Sequence, residues 1–134
     1  MSQTGSRRNK ALIASFVDVV WRRGQIAELA TYWTADCVNH ADPAADNRGL
    51  AALRRYHEQF GQAFAGFTSP VIEIQQQIAE GDRVATQLVT RATHAASGRA
   101  VTLQTVRIDR MENGKIAEHW SVADMAGLMR QLEG

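Results

Sequence analysis

The 134-residue chain reads as one α+β domain, with helices first and an antiparallel sheet after them. Three observations predict this. Apolar residues recur at helical spacing through the first half of the chain. After Pro70 the period shortens to that of extended strands. Turn signals then divide the extended runs, the strongest being Asn113-Gly114. Helices followed by a meander of strands bury their apolar sides by packing on one sheet face.

Met1 to Arg8 is polar and basic and reads as a flexible tail, which leaves residues 9–134 as the domain. Leu12, Ile13, Phe16, Val17, Val20 and Trp21 share one helical face, and Gly24 stops that helix. Ile26, Leu29, Ala30 and Trp33 make a second, shorter stripe. Asp36 to Asn47 reads as a short strand or loop, with Pro43 and several Asp and Asn residues marking turns. Gly49 opens a third helix whose apolar side is Leu50, Leu53, Tyr56, Phe60, Phe64 and Phe67. Val71, Ile72, Ile74 and Ile78 are extended, and Glu80-Gly81-Asp82 turns the chain into a long strand, Arg83 to His94. Ser97-Gly98 leads into a strand from Arg99 to Arg110, and Asn113-Gly114 into the last, Lys115 to Val122. Met125, Leu128, Met129 and Leu132 form a closing helix.

Composition excludes several classes. The net charge of +1 comes from mixed signs with no basic stripe, so nucleic acid is not an expected partner. Apolar runs are too short to span a bilayer, so no membrane role is expected. The polar N-terminus does not resemble a signal peptide. Cys37 is the only cysteine, which rules out an intrachain disulfide and leaves a buried thiol as its default state. These features fit a cytoplasmic protein. His40, His57, His94 and His119 form no helical pair, so no metal site is expected. There is no Gly-rich phosphate loop and no Gly-x-Ser-x-Gly elbow.

Four segments carry a resemblance: Val38-Asn39-His40, Ile78 to Val84, Arg91-Ala92-Thr93-His94, and Asn113 to Trp120 followed by Asp124 and Gln131-Leu132. In order and spacing they resemble the SnoaL-like polyketide cyclase family, within the nuclear-transport-factor-2-like superfamily. The resemblance implies a cone-shaped barrel, a strongly curved antiparallel sheet wrapped around the N-terminal helices, with an interior pocket. It implies a small, largely apolar ligand, chemistry without a cofactor, and a homodimer formed through the outer sheet face. The fold hosts many chemistries, so the reaction has to come from residues.

The family's cyclases resemble one another in an aspartate on the last strand, and this chain carries Ser121 there. A serine hydroxyl does not exchange a proton near neutral pH. A cyclase histidine on the preceding strand falls at Arg107, which can hold an oxyanion but cannot act as a base. The Asp-Arg-Asp set of epoxide hydrolase-like relatives falls at Leu88, Thr90 and Ser121. Arg107-Ile108-Asp109 has an Arg-x-Asp form on the following strand, but Asp109 lies near a turn and reads as solvated.

The remaining candidates are weighed by residue type. His119 is the best acid–base group, since imidazole titrates near pH 6.5; the alternative is a hydrogen-bonded sheet histidine. Asp124 would act at the pocket mouth or cap the closing helix. Asn39 and His40 would line the wall or tie a loop, and Arg107 would hold an anion or lie exposed. Trp33, Tyr56, Phe60, Phe64, Leu88, Thr90, His94, Trp120 and Ser121 are the candidate ligand-binding residues. Alternation on the strands groups Ser121 with His119 and Ala117, and Arg107 with Thr105 and Leu103. Two functions stay open. One is a cofactor-independent isomerase, cyclase or hydrolase. The other is a non-catalytic small-molecule-binding or dimeric scaffold protein.

Overall fold

A computed structural model describes residues 3–133. Helix α1 spans Gln3–Phe16, so residues 3–8, expected as tail, are helical; Met1 and Ser2 lie outside the described residues. Two contacts explain the longer helix. Asn9 is buried, and the Lys10 carbonyl accepts the Gln77 amide at 3.1 Å, pinning α1 to a strand. A wider π-helical turn, Val17–Arg22, continues α1, and Gly24 ends it in the left-handed region at φ 68°. The second stripe is a 3₁₀ turn, Ile26–Glu28, and a short α2, Leu29–Tyr32. Trp33 does not extend that helix. It begins β1, Trp33–Asn39. Helix α3 spans Leu50–Ala63 behind Gly49.

The strands are β2, Phe67–Glu80; β3, Arg83–His94; β4, Arg99–Glu112; and β5, Lys115–Ala123. Helix α4, Met125–Glu133, closes the chain. The spatial order is β1-β5-β4-β3-β2. The expected antiparallel meander holds from β2 to β5, but β1 adds in parallel beside β5, so the sheet is mixed. Phe67 belongs to β2 and not to the third helix. Pro70 stands inside β2 because β2 is an edge strand, and the register shifts between Thr68 and Val71 around it. Further register shifts at Ile74/Gln76 and Arg110/Met111 mark bulges that bend the open sheet around the helices. Asn113 and Gly114 have φ 52° and 75°, the pair of positive values a type I′ hairpin turn requires.

The core lies between α1 and the inner sheet face: Ile13, Phe16 and Val17 pack with Trp33, Leu53, Val84, Leu88 and Ile116. Phe16 is its hub, meeting Tyr32, Trp33 and His57 edge-on at 5.7–6.1 Å between ring centres. Beyond the end of β5, α4 runs along β4. Gln131 takes a strand's place there, accepting the Thr102 N–H at 2.7 Å and donating to the Thr102 carbonyl at 2.8 Å. Among the described residues no helix is long and apolar enough to cross a membrane.

Candidate active site

The β4–β5 register sets Arg107 opposite Ser121 and Asp109 opposite His119. Side chains two apart share a face, so all four point to the helix side of the sheet. On β3, Thr86 faces Arg107 and Val84 faces Asp109; on β1, Asn39 is level with His119. Asp109 is fully buried, which overturns its expected solvation. It lies well before the Asn113-Gly114 turn, in the paired part of β4.

Arg107 and Asp109 make a bidentate pair, Nε–Oδ2 at 2.8 Å and Nη2–Oδ1 at 2.9 Å, with both side chains at 0% exposure. The guanidinium lies 4.8 Å from the Phe16 ring centre and 5.1 Å from that of Trp21. His119 Nδ1 is 2.8 Å from Asp109 Oδ1 and 3.4 Å from Arg107 Nη2. One nitrogen cannot serve both. The shorter contact is to a carboxylate, so Nδ1 carries the proton and donates to Asp109, and the longer contact to arginine is not a hydrogen bond. The Nε2 lone pair of His119 is then free, with no hydrogen-bond partner among the described residues.

Charge state follows from these contacts. Burial alone would raise the Asp109 carboxyl. The Arg107 and His119 charges and their hydrogen bonds outweigh it and bring the pKa down to about 2. Burial lowers His119, and the Arg107 charge lowers it further against the opposing pull of Asp109, so the ring is neutral at pH 7. The resting site is therefore one cation, one carboxylate and a neutral imidazole.

Around His119 lie buried donors with no acceptor among the described residues: Arg107 Nη1, Asn39 Nδ2 and Trp33 Nε1. The Trp33 ring meets His119 edge-on at 5.6 Å. Asn39 is held by its own Oδ1, which accepts the Ala41 N–H at 3.0 Å. An unpaired buried donor costs on the order of 1–3 kcal/mol, so each favours a ligand oxygen.

The other expected residues separate. His40 does not join Asn39 at the site. It is exposed, 2.6 Å from Glu118, and stacks on Trp120 at 5.0 Å. Trp120 lies on the outer face under Arg83, opposite to His119 and Ser121. Asp124 is exposed and caps α4, its Oδ1 accepting the Gly127 N–H at 2.8 Å, the capping alternative of the two weighed. Trp33 and Leu88 are core residues. Phe64, Phe67 and His94 form a ring cluster at 5.2–5.7 Å, away from the charged set, with His94 Nδ1 on Ser97 Oγ at 2.7 Å. Thr90 and Ser121 are half-buried on the inner face. A groove of about 450 Å³ opens between α3 and the loop after β1, lined by Asp42, Pro43, Ala44, Tyr56, Gln59 and Phe60, with Ala63 at its end. Of the expected lining residues, Tyr56 and Phe60 border it.

Sequence reasoning discounted Asp109 and missed His57. Asp109 could have been found by alternation, since it shares parity with Arg107. His57, one residue along α3 from Tyr56, donates Nδ1–H to the Leu53 carbonyl at 3.0 Å. Burial, then the Arg107 and His119 charges, lower its pKa to about 4. No spacing signal marked it.

The SnoaL-like polyketide cyclase profile matches residues 11–132. No curated protein matches the chain. Among solved structures, IdmH of Streptomyces antibioticus, described as a candidate polyketide cyclase, superposes with TM-score 0.78 at 25% identity, over 94% of this chain and 99% of that one. AclR of Streptomyces galilaeus, described as a candidate hydroxylase, gives 0.75 at 27%, over 95% and 96%. A polyketide cyclase-like protein of Bacillus cereus gives 0.79 at 22%, over 98% and 85%, a likeness of fold alone.

Proposed function

The chain belongs to the SnoaL-like polyketide cyclase family, and from that premise we propose that it binds a small, largely apolar carbonyl compound and moves a proton on it without a cofactor. The observation that carries this is the Asp109–His119 pair, with Asp109 clamped by Arg107. Asp109 holds the imidazole in the tautomer whose Nε2 is a base, as the carboxylate of a catalytic triad does. Arg107 Nη1 and Asn39 Nδ2 are the donors for an oxygen that gains negative charge. The proton taken from the carbon adjacent to the carbonyl resides on Nε2, and the enolate faces the guanidinium. Ser121 does not replace the family's aspartate as a base; it lies opposite Arg107 as a hydroxyl. In this reading a ligand enters through the groove beside Tyr56 and Phe60, which lies next to Asn39 through the loop after β1.

The test is deuterium exchange into the α-positions of 2-tetralone, followed by NMR in D2O. The protein accelerates exchange over buffer, and His119→Gln loses about 100-fold or more of that acceleration. Binding without acceleration, unchanged in His119→Gln, leaves the non-catalytic binding protein as the function.

The outer sheet face supports self-association as a homodimer. Ile78, Ala85, Ile108 and Trp120 form one row across β2, β3, β4 and β5. Ile78 is 66% exposed and Val122 in the neighbouring row 77%, apolar surface that a second copy would cover. Light scattering gives twice the chain mass for the native protein and one chain mass for Val122→Lys.

A further inference from the structure

Two imidazoles feel the Arg107 charge, and each has its Nδ1–H tied to an oxygen. His119 donates to Asp109, and His57 donates to the Leu53 carbonyl. In both rings the proton is fixed at Nδ1, so Nε2 is an acceptor only. His57 Nε2 has no hydrogen-bond partner among the described residues. Its ring meets the Phe16 ring edge-on at 6.1 Å and the Tyr56 ring edge-on at 5.7 Å; Phe16 belongs to the core, and Tyr56 lines the groove. Unlike His119 it is only half-buried, and it lies behind Tyr56, which lines the groove.

We infer that His57 is a specificity-determining residue, selecting apolar ligands that carry a hydroxyl or enol O–H by accepting that hydrogen bond at Nε2. The inference rests on the ligand-binding reading above, but not on catalysis. A carbonyl ligand with no hydroxyl satisfies the unpaired donors near His119 and offers nothing to His57 Nε2. A ligand with both an acceptor oxygen and an O–H satisfies both sides. Burial, and after it the Arg107 charge, disfavours protonation of His57, which keeps the acceptor role across the neutral range.

The experiment compares 2-naphthol with 2-methoxynaphthalene by titration calorimetry. Both offer an oxygen acceptor to Arg107, but only the first has a donor. The native protein binds 2-naphthol about tenfold more tightly, the worth of one hydrogen bond. The preference disappears in His57→Phe and returns in part in His57→Gln, whose amide oxygen accepts. In the native protein, the 15N resonance of His57 Nε2 moves on adding 2-naphthol and stays in place with 2-methoxynaphthalene. This readout does not depend on the variants folding. Equal affinities, or a preference with no movement at His57, overturn the inference and leave the ligand-binding reading standing. Binding of neither naphthalene counts against that reading, and this inference falls with it.

Discussion

The inner sheet face has two regions that share strands and alternation yet differ in cover and in charge. At one end Val84, Thr86, Leu88, Arg107 and Asp109 are sealed at 0% exposure, with His119 at 5%. At the other, Thr90, Leu103, Thr105, Ser121 and Ala123 are half-exposed. The cause is the helix layer. Ile13, Phe16 and Val17 of α1 press on the first half, whereas Phe60 near the end of α3 remains 46% exposed. Charge follows cover. A salt bridge sealed from water holds only with all its partners in place, so the sealed half carries the bidentate pair and the second hydrogen bond from His119. The open half carries hydroxyls that water can satisfy.

The largest break in this contrast is Asp109→Ala. It strands the Arg107 charge and the His119 Nδ1–H, and should cost about 3–5 kcal/mol in urea unfolding. Next comes acid. His57 and His119 are depressed below their ordinary 6.5, His57 to about 4, and Asp109 from 3.8 to about 2. For each the unfolded chain binds protons more readily, so stability is full above about pH 6.5 and declines as pH falls. Thermal melting should be level from that pH up to near 9.0, the ordinary thiol value that burial raises in Cys37, decline from 6.5 towards 4 as His57 binds protons on unfolding, with His119 adding in the same direction, and decline again from 3.8 to 2 with Asp109. In His57→Gln the upper decline becomes shallower. Asp124→Ala should cost about 1 kcal/mol, the value of a helix cap, and leave 2-tetralone exchange unchanged. Ser121→Ala, on the open half, should cost less than about 0.5 kcal/mol. Equal losses for Asp109→Ala and Ser121→Ala would erase the distinction between the halves.

Local signals carried much of the fold. Helical stripes located α1 and α3, and the Asn113-Gly114 turn set the β4–β5 hairpin. Alternation grouped Ser121 with His119 on one strand and Arg107 with Thr105 on the next, and the register then set the two groups on one face. Aromatic bulk was a poorer guide. Trp33 and Trp120 read alike as wall residues, but one is core and the other lies outside beneath Arg83. His40 and Asn39 are adjacent in sequence and on opposite sides of the wall, because neighbours on an extended chain point apart.

By itself the sequence determined the order of elements, the hairpin turns and which strand residues share a face, because these depend on neighbours within a few residues. Only the tertiary structure decided that Asp109 is buried with Arg107 and His119, that Asp124 is a cap, and that His57 on α3 joins residues of β4 and β5. Those outcomes depend on where α1 and α3 dock. Docking sets which half of one face loses its water, and loss of water turns an ordinary Arg-x-Asp pair into a clamped charge beside neutral imidazoles.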